Sequence, residues 1–132
     1  MKINREKALA TFKEYTDRYD SSRDMIRLKI EHTYRVCGLC QQIAKSLDLP
    51  EEEVDVAWLT GLLHDVGRFE QLRRYGTFSD ADSIDHAALG ADILFGGVLR
   101  EGEGLIRTYV DDAAEDEVIE TAIRVHSAYR IP

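Results

Sequence analysis

The sequence has few of the residues that cross-link, interrupt or anchor a chain. Among its 132 residues are two cysteines and two prolines. It has no run of about 18 apolar residues that would span a membrane, and residues 1–7 lack the apolar stretch of a secretory signal. These absences argue against a membrane protein and against a fold that depends on disulfides, and they predict a cytoplasmic protein.

Acidic residues outnumber basic ones, with 25 Asp and Glu against 17 Lys and Arg, which gives a formal net charge of −8. Such a surface does not concentrate nucleic acid, so a nucleic acid duplex is not expected as a partner. A small phosphate ester is still compatible, provided that a metal ion or a few arginines make the site locally positive. The length and the 44% hydrophobic content predict one domain, residues 1–132, with its own core.

The two cysteines are Cys37 and Cys40, spaced as in a redox pair or as in half of a zinc site. They fall inside a predicted long helix, away from the helix N-terminus that would lower the pKa of a thiol. No second pair is present to complete a four-sulfur site. Packing in the core is therefore the preferred interpretation.

Strand signals are absent as well, so the sequence predicts an all-α helical bundle of about five helices. Helices are expected near residues 4–19, 22–47, 50–67, 83–97 and 118–126, with a short helical turn at 69–74 and an irregular stretch at 75–85. Asn4 is the expected cap of the first helix. The stripe predicted to face the core in the second helix is Met25, Lys29, His32, Val36, Leu39, Cys40, Ile43 and Leu47.

An acidic segment at residues 80–85 has some of the spacing of a calcium loop. It lacks the central glycine and the closing glutamate of a twelve-residue loop, which favours a solvated loop followed by a helix cap. Asp85 is also a candidate to orient a metal-binding histidine.

Only four histidines occur, and their positions are informative. His32 lies on an apolar stripe, His64 precedes Asp65 at a helix end, His86 lies in the first turn of a helix and His126 lies on the last helix. A single histidine of this kind is more often a satisfied core residue than a ligand. Imidazole and carboxylate are nevertheless good ligands for divalent ions of the Zn, Fe and Mn class, and the joint pattern predicts a buried metal cluster.

Four segments around these histidines resemble the HD-domain superfamily of metal-dependent phosphohydrolases. They are residues 31–36, 62–68, 85–90 and 123–127, and the Leu-Leu-His-Asp-Val-Gly-Arg segment is the strongest match. The resemblance implies an HD-like bundle with metal held between its helices. It also implies hydrolysis of a nucleotide or another small phosphate ester, a monoester or a diester, as the activity.

The resemblance further implies that His32, His64 and Asp65 hold a first divalent ion. His86 and His126 would hold a second ion, with Asp65 bridging the two. The ion or ions would be Mn, Fe, Zn, Co or Mg, activating a hydroxide for attack and neutralising charge on the phosphate oxygens. Asp65 would also orient this nucleophile.

Arginines supply the predicted contacts to the phosphate, since guanidinium matches phosphate with two parallel hydrogen bonds. Arg68 is expected near the mouth of the site, and Arg35, one turn beyond His32, is a second candidate.

The sequence departs from the family at the final aspartate ligand, which members usually supply beyond the position of His126. Asp111 and Asp112 are the conceivable substitutes. The expectation is a C-terminally truncated domain with weaker metal retention, reduced turnover and self-association through exposed apolar surface. Two alternatives stay open: an incompetent remnant that binds metal, a nucleotide or a protein partner, and a di-iron oxygenase.

Overall fold

The computed structural model describes residues 3–99 and 103–127, and over these residues the fold is helical without strands. The all-α prediction is confirmed. Seven helices occur in this part of the chain, and they are α1 (Arg5–Thr16), α2 (Asp24–Ser46), α3 (Glu51–Leu63), α4 (Val66–Tyr75), α5 (His86–Phe95), α6 (Ile106–Tyr109) and α7 (Asp116–Val125). None of them is long and apolar enough to cross a membrane.

Two helices go beyond the five that were expected. The four-residue α6 lies in a segment to which no structure was assigned, and α4 replaces a predicted short turn. The chain bends between α3 and α4 because Asp65 leaves helical geometry, with φ −112° and ψ 19°. Its side chain makes no capping hydrogen bond to α4, so the carboxylate is available for other contacts.

Two predicted helix caps are confirmed. The Asn4 side chain accepts a hydrogen bond from the backbone N–H of Lys7 at 3.0 Å. The Asp85 carboxylate accepts from the N–H groups of Ala87 and Ala88 at the start of α5. Both caps satisfy donors that a helix N-terminus leaves without partners, which is why they were readable from sequence.

The predicted core-facing stripe of α2 is wrong for Leu39, Ile43 and Leu47, which are 54%, 59% and 65% exposed. The buried residues of α2 are Ile26, Thr33, Cys37 and Ala44. The reason is the close packing of α3, where a Cβ on Gly61 would lie 3.0 Å from the Cα of Cys37. That approach turns the Cys37 face of α2 inward and leaves an apolar ridge on the outside.

The cysteines are free thiols, and the predicted core packing is confirmed for Cys37. Its thiol donates to the carbonyl oxygen of Trp58, with Sγ and O 3.1 Å apart. Burial raises the pKa of the Cys37 thiol to about 12, so the thiol is a packing group rather than a nucleophile.

Two glycines bring α4 against α5. A Cβ added to Gly67 would lie 2.2 Å from the carbonyl oxygen of His86 and 2.6 Å from the backbone nitrogen of Gly90. No side chain fits between these backbones. The contact therefore fixes His86, the first residue of α5, at a short distance from Asp65, which lies just before α4.

Candidate metal centre

The ends of several helices meet at one buried carboxylate. His32 lies in α2, His64 follows the last residue of α3, His86 begins α5 and His126 follows the last residue of α7. The structure brings all four histidines to Asp65, whose side chain is 6% exposed. Every residue predicted from sequence as a metal ligand is thus in one cluster.

Each oxygen of Asp65 faces two imidazoles. Oδ2 lies 3.1 Å from Nε2 of His64 and 3.6 Å from Nε2 of His32. Oδ1 lies 3.2 Å from Nε2 of His126 and 3.4 Å from Nε2 of His86. The donor atoms form two groups that share Asp65, in the division that the sequence predicted for two ions.

In His64 and His126, the hydrogen bond at Nδ1 determines which ring nitrogen carries the proton. Nδ1 of His64 lies 2.6 Å from the carbonyl oxygen of Gly61, and Nδ1 of His126 lies 2.7 Å from that of Ile123. Because a carbonyl oxygen only accepts, we assign the proton of each neutral ring to Nδ1. The Nε2 lone pair then points at Asp65, and two acceptors face each other.

Such a contact between acceptors is unfavourable unless a cation lies between them or the ring takes a second proton. A divalent cation between these acceptors would remove the repulsion, so the donor set fits a metal ion. Inward-pointing Nε2 atoms around an ionised carboxylate, with Nδ1 of His64, His86 and His126 held by hydrogen bonds, are the arrangement that binds divalent transition metals.

The pKa values of these groups reflect their burial and their short distances from one another. Burial raises the pKa of the Asp65 carboxyl, but the contacts with His126, His64 and His86 outweigh burial and hold the pKa well below its ordinary value. Burial lowers the pKa of His126, while its contacts with Asp65 and Ile123 raise it overall. The pKa of His32 is lowered by burial and by the neighbouring charge of Lys29.

The model of the HD domain family matches residues 30–131 of this sequence. The chain belongs to the HD domain family. Comparisons with curated proteins and with solved structures found no significant match. HD domains bind divalent metal ions and are generally hydrolases, which agrees with the cluster around Asp65.

Asp80 orients one ligand candidate of this HD domain, a role that the sequence analysis assigned to Asp85. Oδ2 of Asp80 lies 2.7 Å from Nδ1 of His86, whereas Asp85 only caps α5. A carboxylate behind a histidine holds the ring orientation and increases its basicity toward a metal. The segment at 80–85 thus contains the predicted helix cap and, at Asp80, a histidine support that was predicted at Asp85 instead.

Arg68 reaches the loop beside the centre. Its Nη1 donates to Oδ1 of Asp80 at 2.9 Å, to Oε1 of Gln71 at 3.0 Å and to the carbonyl oxygen of Phe78 at 2.5 Å. The guanidinium therefore supports the Asp80 carboxylate that holds His86. Its predicted contact with a substrate phosphate stays a prediction, as does that of Arg35, which is exposed on α2.

Lys29 is a site residue that the sequence analysis did not recognise. Its Nζ lies 3.3 Å from Oδ2 of Asp65 and 5.4 Å from the ring centroid of Phe78, and its side chain is 19% exposed. The available signal was its position on α2, three residues before His32 on the same face. Lys29 adds an ammonium group beside the His32 and His64 half of the centre.

The two suggested substitutes for the final aspartate are elsewhere. Asp111 pairs with Lys7 of α1, and the carboxylate of Asp112 accepts a hydrogen bond from the backbone of Ala114. Neither carboxylate joins the described cluster. The suggestion is wrong because the segment before α7 packs toward α1 rather than toward Asp65.

Proposed function

We propose that this HD domain is a metal-dependent phosphohydrolase that cleaves a nucleotide or another small phosphate ester, a monoester or a diester. The observation that supports it is the convergence of four Nε2 atoms on one ionised carboxylate. His32, His64 and Asp65 would hold one divalent ion, and Asp65, His86 and His126 a second. An ion there supplies Lewis acidity, because it lowers the pKa of a water molecule and withdraws charge from a phosphoryl oxygen.

The residues of the chain have separate tasks in this proposal. Asp65, a carboxylate whose pKa is held below its ordinary value, would bind the ions and orient the nucleophile. Lys29 contributes a donor to phosphate oxygens from the partly exposed side of the centre. Asp80 and Arg68 keep His86 in position, and Arg68 and Arg35 are the arginines proposed to contact the phosphate.

The first test is hydrolysis of p-nitrophenyl phosphate and of a nucleotide panel with Mn, Fe(II), Zn, Co or Mg, together with the metal content of the purified protein. Asp65→Asn is expected to lower turnover by at least about a thousandfold and to lose the metal. Asp92→Asn is the matched control, because Asp92 pairs with Arg124 on the surface of α5 and α7.

Other results would contradict the proposal in identifiable ways. Stoichiometric metal without turnover of any ester would favour a domain that only binds. Substrate-dependent oxygen uptake by an iron-loaded protein would favour the oxygenase alternative. Turnover that survives Asp65→Asn would mean that the reaction occurs outside this centre.

A further inference from the structure

An apolar groove lies between α2, α3 and α7, outside the metal centre. Its volume is about 650 Å³, and its walls are formed mainly by aliphatic side chains. They include Ile43 and Leu47 from α2, Val56 and Ala57 from α3, and Val118 and Ala122 from α7. Ile43, Leu47 and Val118 are more than half exposed, so the groove is open along its length.

The groove and the metal centre use the same faces of α3 and α7. Thr60 lines the groove and precedes His64 by one helical turn, and Ala122 precedes His126 by one turn. On α2 the groove residue Cys40 lies two turns beyond His32. One turn is about 5.4 Å, so the near end of the groove lies about one turn along the helix from His64 and from His126.

The part of the groove nearest the metal centre offers few polar atoms to a nucleoside. The hydroxyl of Thr60 donates to the carbonyl oxygen of Val56 at 2.8 Å within its own helix. Cys40 offers only a thiol, which is a weak hydrogen-bond donor. A base and a ribose buried here would leave polar groups without partners, which weakens binding.

The far end of the groove is acidic. Glu53 at the start of α3 and Glu115 before α7 line it. Carboxylates at this end repel a second phosphate or any other anion that extends from the centre. The geometry thus suits a substrate with phosphate at one end and an uncharged hydrocarbon at the other.

Resting on the proposed hydrolysis, we infer that the substrate is a phosphate monoester of an apolar alcohol. Its phosphate lies at the metal centre, and its hydrocarbon chain lies in the groove between α2, α3 and α7. Hydrolysis would transfer the phosphoryl group to water and release the alcohol and inorganic phosphate.

Turnover of alkyl phosphates of increasing length measures this directly. With Mn-loaded protein and esters from ethyl to octyl phosphate, kcat/KM is expected to rise with each methylene that enters the groove. A fully buried methylene increases it by about fourfold, and a partly exposed one by less. Equal kcat/KM across the series, or a preference for nucleotides over octyl phosphate, would overturn the inference.

A binding measurement gives a readout that does not depend on turnover. Octylphosphonate and ethylphosphonate are titrated into the full chain, and methyl resonances are followed by NMR. Octylphosphonate is expected to shift the methyl groups of Ile43, Val56 and Val118, whereas ethylphosphonate is not. Shifts confined to other methyl groups would contradict the inference.

Two substitutions on α2 form a matched pair. Ile43→Glu and Leu39→Glu change residues of similar exposure, 59% and 54%, but only Ile43 lines the groove. Ile43→Glu is expected to weaken octylphosphonate binding at least about tenfold. Leu39→Glu is expected to leave both octylphosphonate binding and p-nitrophenyl phosphate turnover unchanged, and equal effects of both variants on octylphosphonate binding would contradict a groove-bound chain.

The proposed hydrolysis and the proposed binding of a hydrocarbon in the groove are contradicted by different results. If no ester is hydrolysed with any metal, the proposed function fails, and the octylphosphonate titration still decides whether the groove takes a hydrocarbon. If sedimentation shows a dimer that Ile43→Glu dissociates while octylphosphonate shifts no groove methyl, the groove is an interface between copies and the inference is wrong.

Discussion

Two buried carboxylates lie five residues apart in this protein, and their surroundings differ. Glu70, in α4, is 1% exposed and accepts hydrogen bonds from Tyr19, Arg73 and Arg74. Asp65, just before α4, is 5% exposed and is surrounded by four imidazoles and Lys29. Both are shielded from water, but Glu70 is paired with arginines, whereas Asp65 is surrounded mainly by histidines.

Guanidinium is charged at every accessible pH, so the two arginines compensate Glu70 permanently. Imidazole is charged only after it takes a second proton, so most of the compensation around Asp65 is conditional. Lys29 provides one fixed charge there, but it contacts Oδ2 alone. A buried carboxylate with fixed partners is a structural ion pair, whereas one with conditional partners is suited to receive a cation.

The largest expected difference is the response to metal. At a metal concentration about a thousand times Kd, binding stabilises the native state by about 4 kcal/mol. We expect this gain for the wild type and for Glu70→Gln but not for Asp65→Asn, measured by urea unfolding with and without Mn or Zn. An equal gain for Asp65→Asn would show that the metal binds elsewhere.

A backbone change separates the two carboxylates in another way. Gly67→Ala places a Cβ against the carbonyl oxygen of His86, which forces α4 and α5 apart. We expect a loss of about 3 kcal/mol in unfolding free energy and weaker metal binding, because His86 moves away from Asp65. The contacts of Glu70 with Arg73 and Arg74 lie within α4 and should persist.

Gly38→Ala is the matched control for that change. A Cβ at Gly38 meets no atom within 4 Å, so the variant should be unchanged or more stable by about 0.5–1 kcal/mol. Equal effects of Gly67→Ala and Gly38→Ala on metal affinity would contradict the view that helix spacing sets the position of His86.

The smallest effect concerns acid stability. Burial raises the pKa of Glu70, but hydrogen bonds from Arg73, Arg74 and Tyr19 lower it from 4.5 to about 2. A lowered pKa contributes stability above pH 4.5, and this contribution is lost as pH falls from 4.5 toward 2. Since Arg73 is 59% exposed, solvent screening reduces the contribution to about 2 kcal/mol.

Glu70→Gln should therefore be about 2 kcal/mol less stable than the wild type at pH 7, and the two should converge near pH 2. Urea unfolding as a function of pH gives this difference curve. A difference that stays constant from pH 7 to pH 2 would mean that Glu70 stabilises the fold by packing rather than through its charge.

Local chemistry accounts for what was predictable. The all-α class follows from the lack of strand signals, and the caps at Asn4 and Asp85 follow from side chains that satisfy nearby N–H groups. The grouping of the histidines with Asp65 was predicted because a few polar residues recurred at helix ends in a pattern similar to HD domains. Their role as metal ligands stays a prediction that the convergence of their side chains supports.

Contacts between distant segments account for what was not predictable. Asp80 contacts His86 from the preceding loop, and Lys29 of α2 contacts Asp65, which lies between α3 and α4. Neither contact follows from the spacing of residues within one helix. The buried face of α2 was wrongly predicted because hydrophobic spacing allowed more than one face. The sequence by itself determined five of the seven described helices and which groups can bind a metal. Only the tertiary structure, through close contacts such as Gly61 on Cys37, decided which faces are buried, since burial depends on the neighbour as well as on the helix.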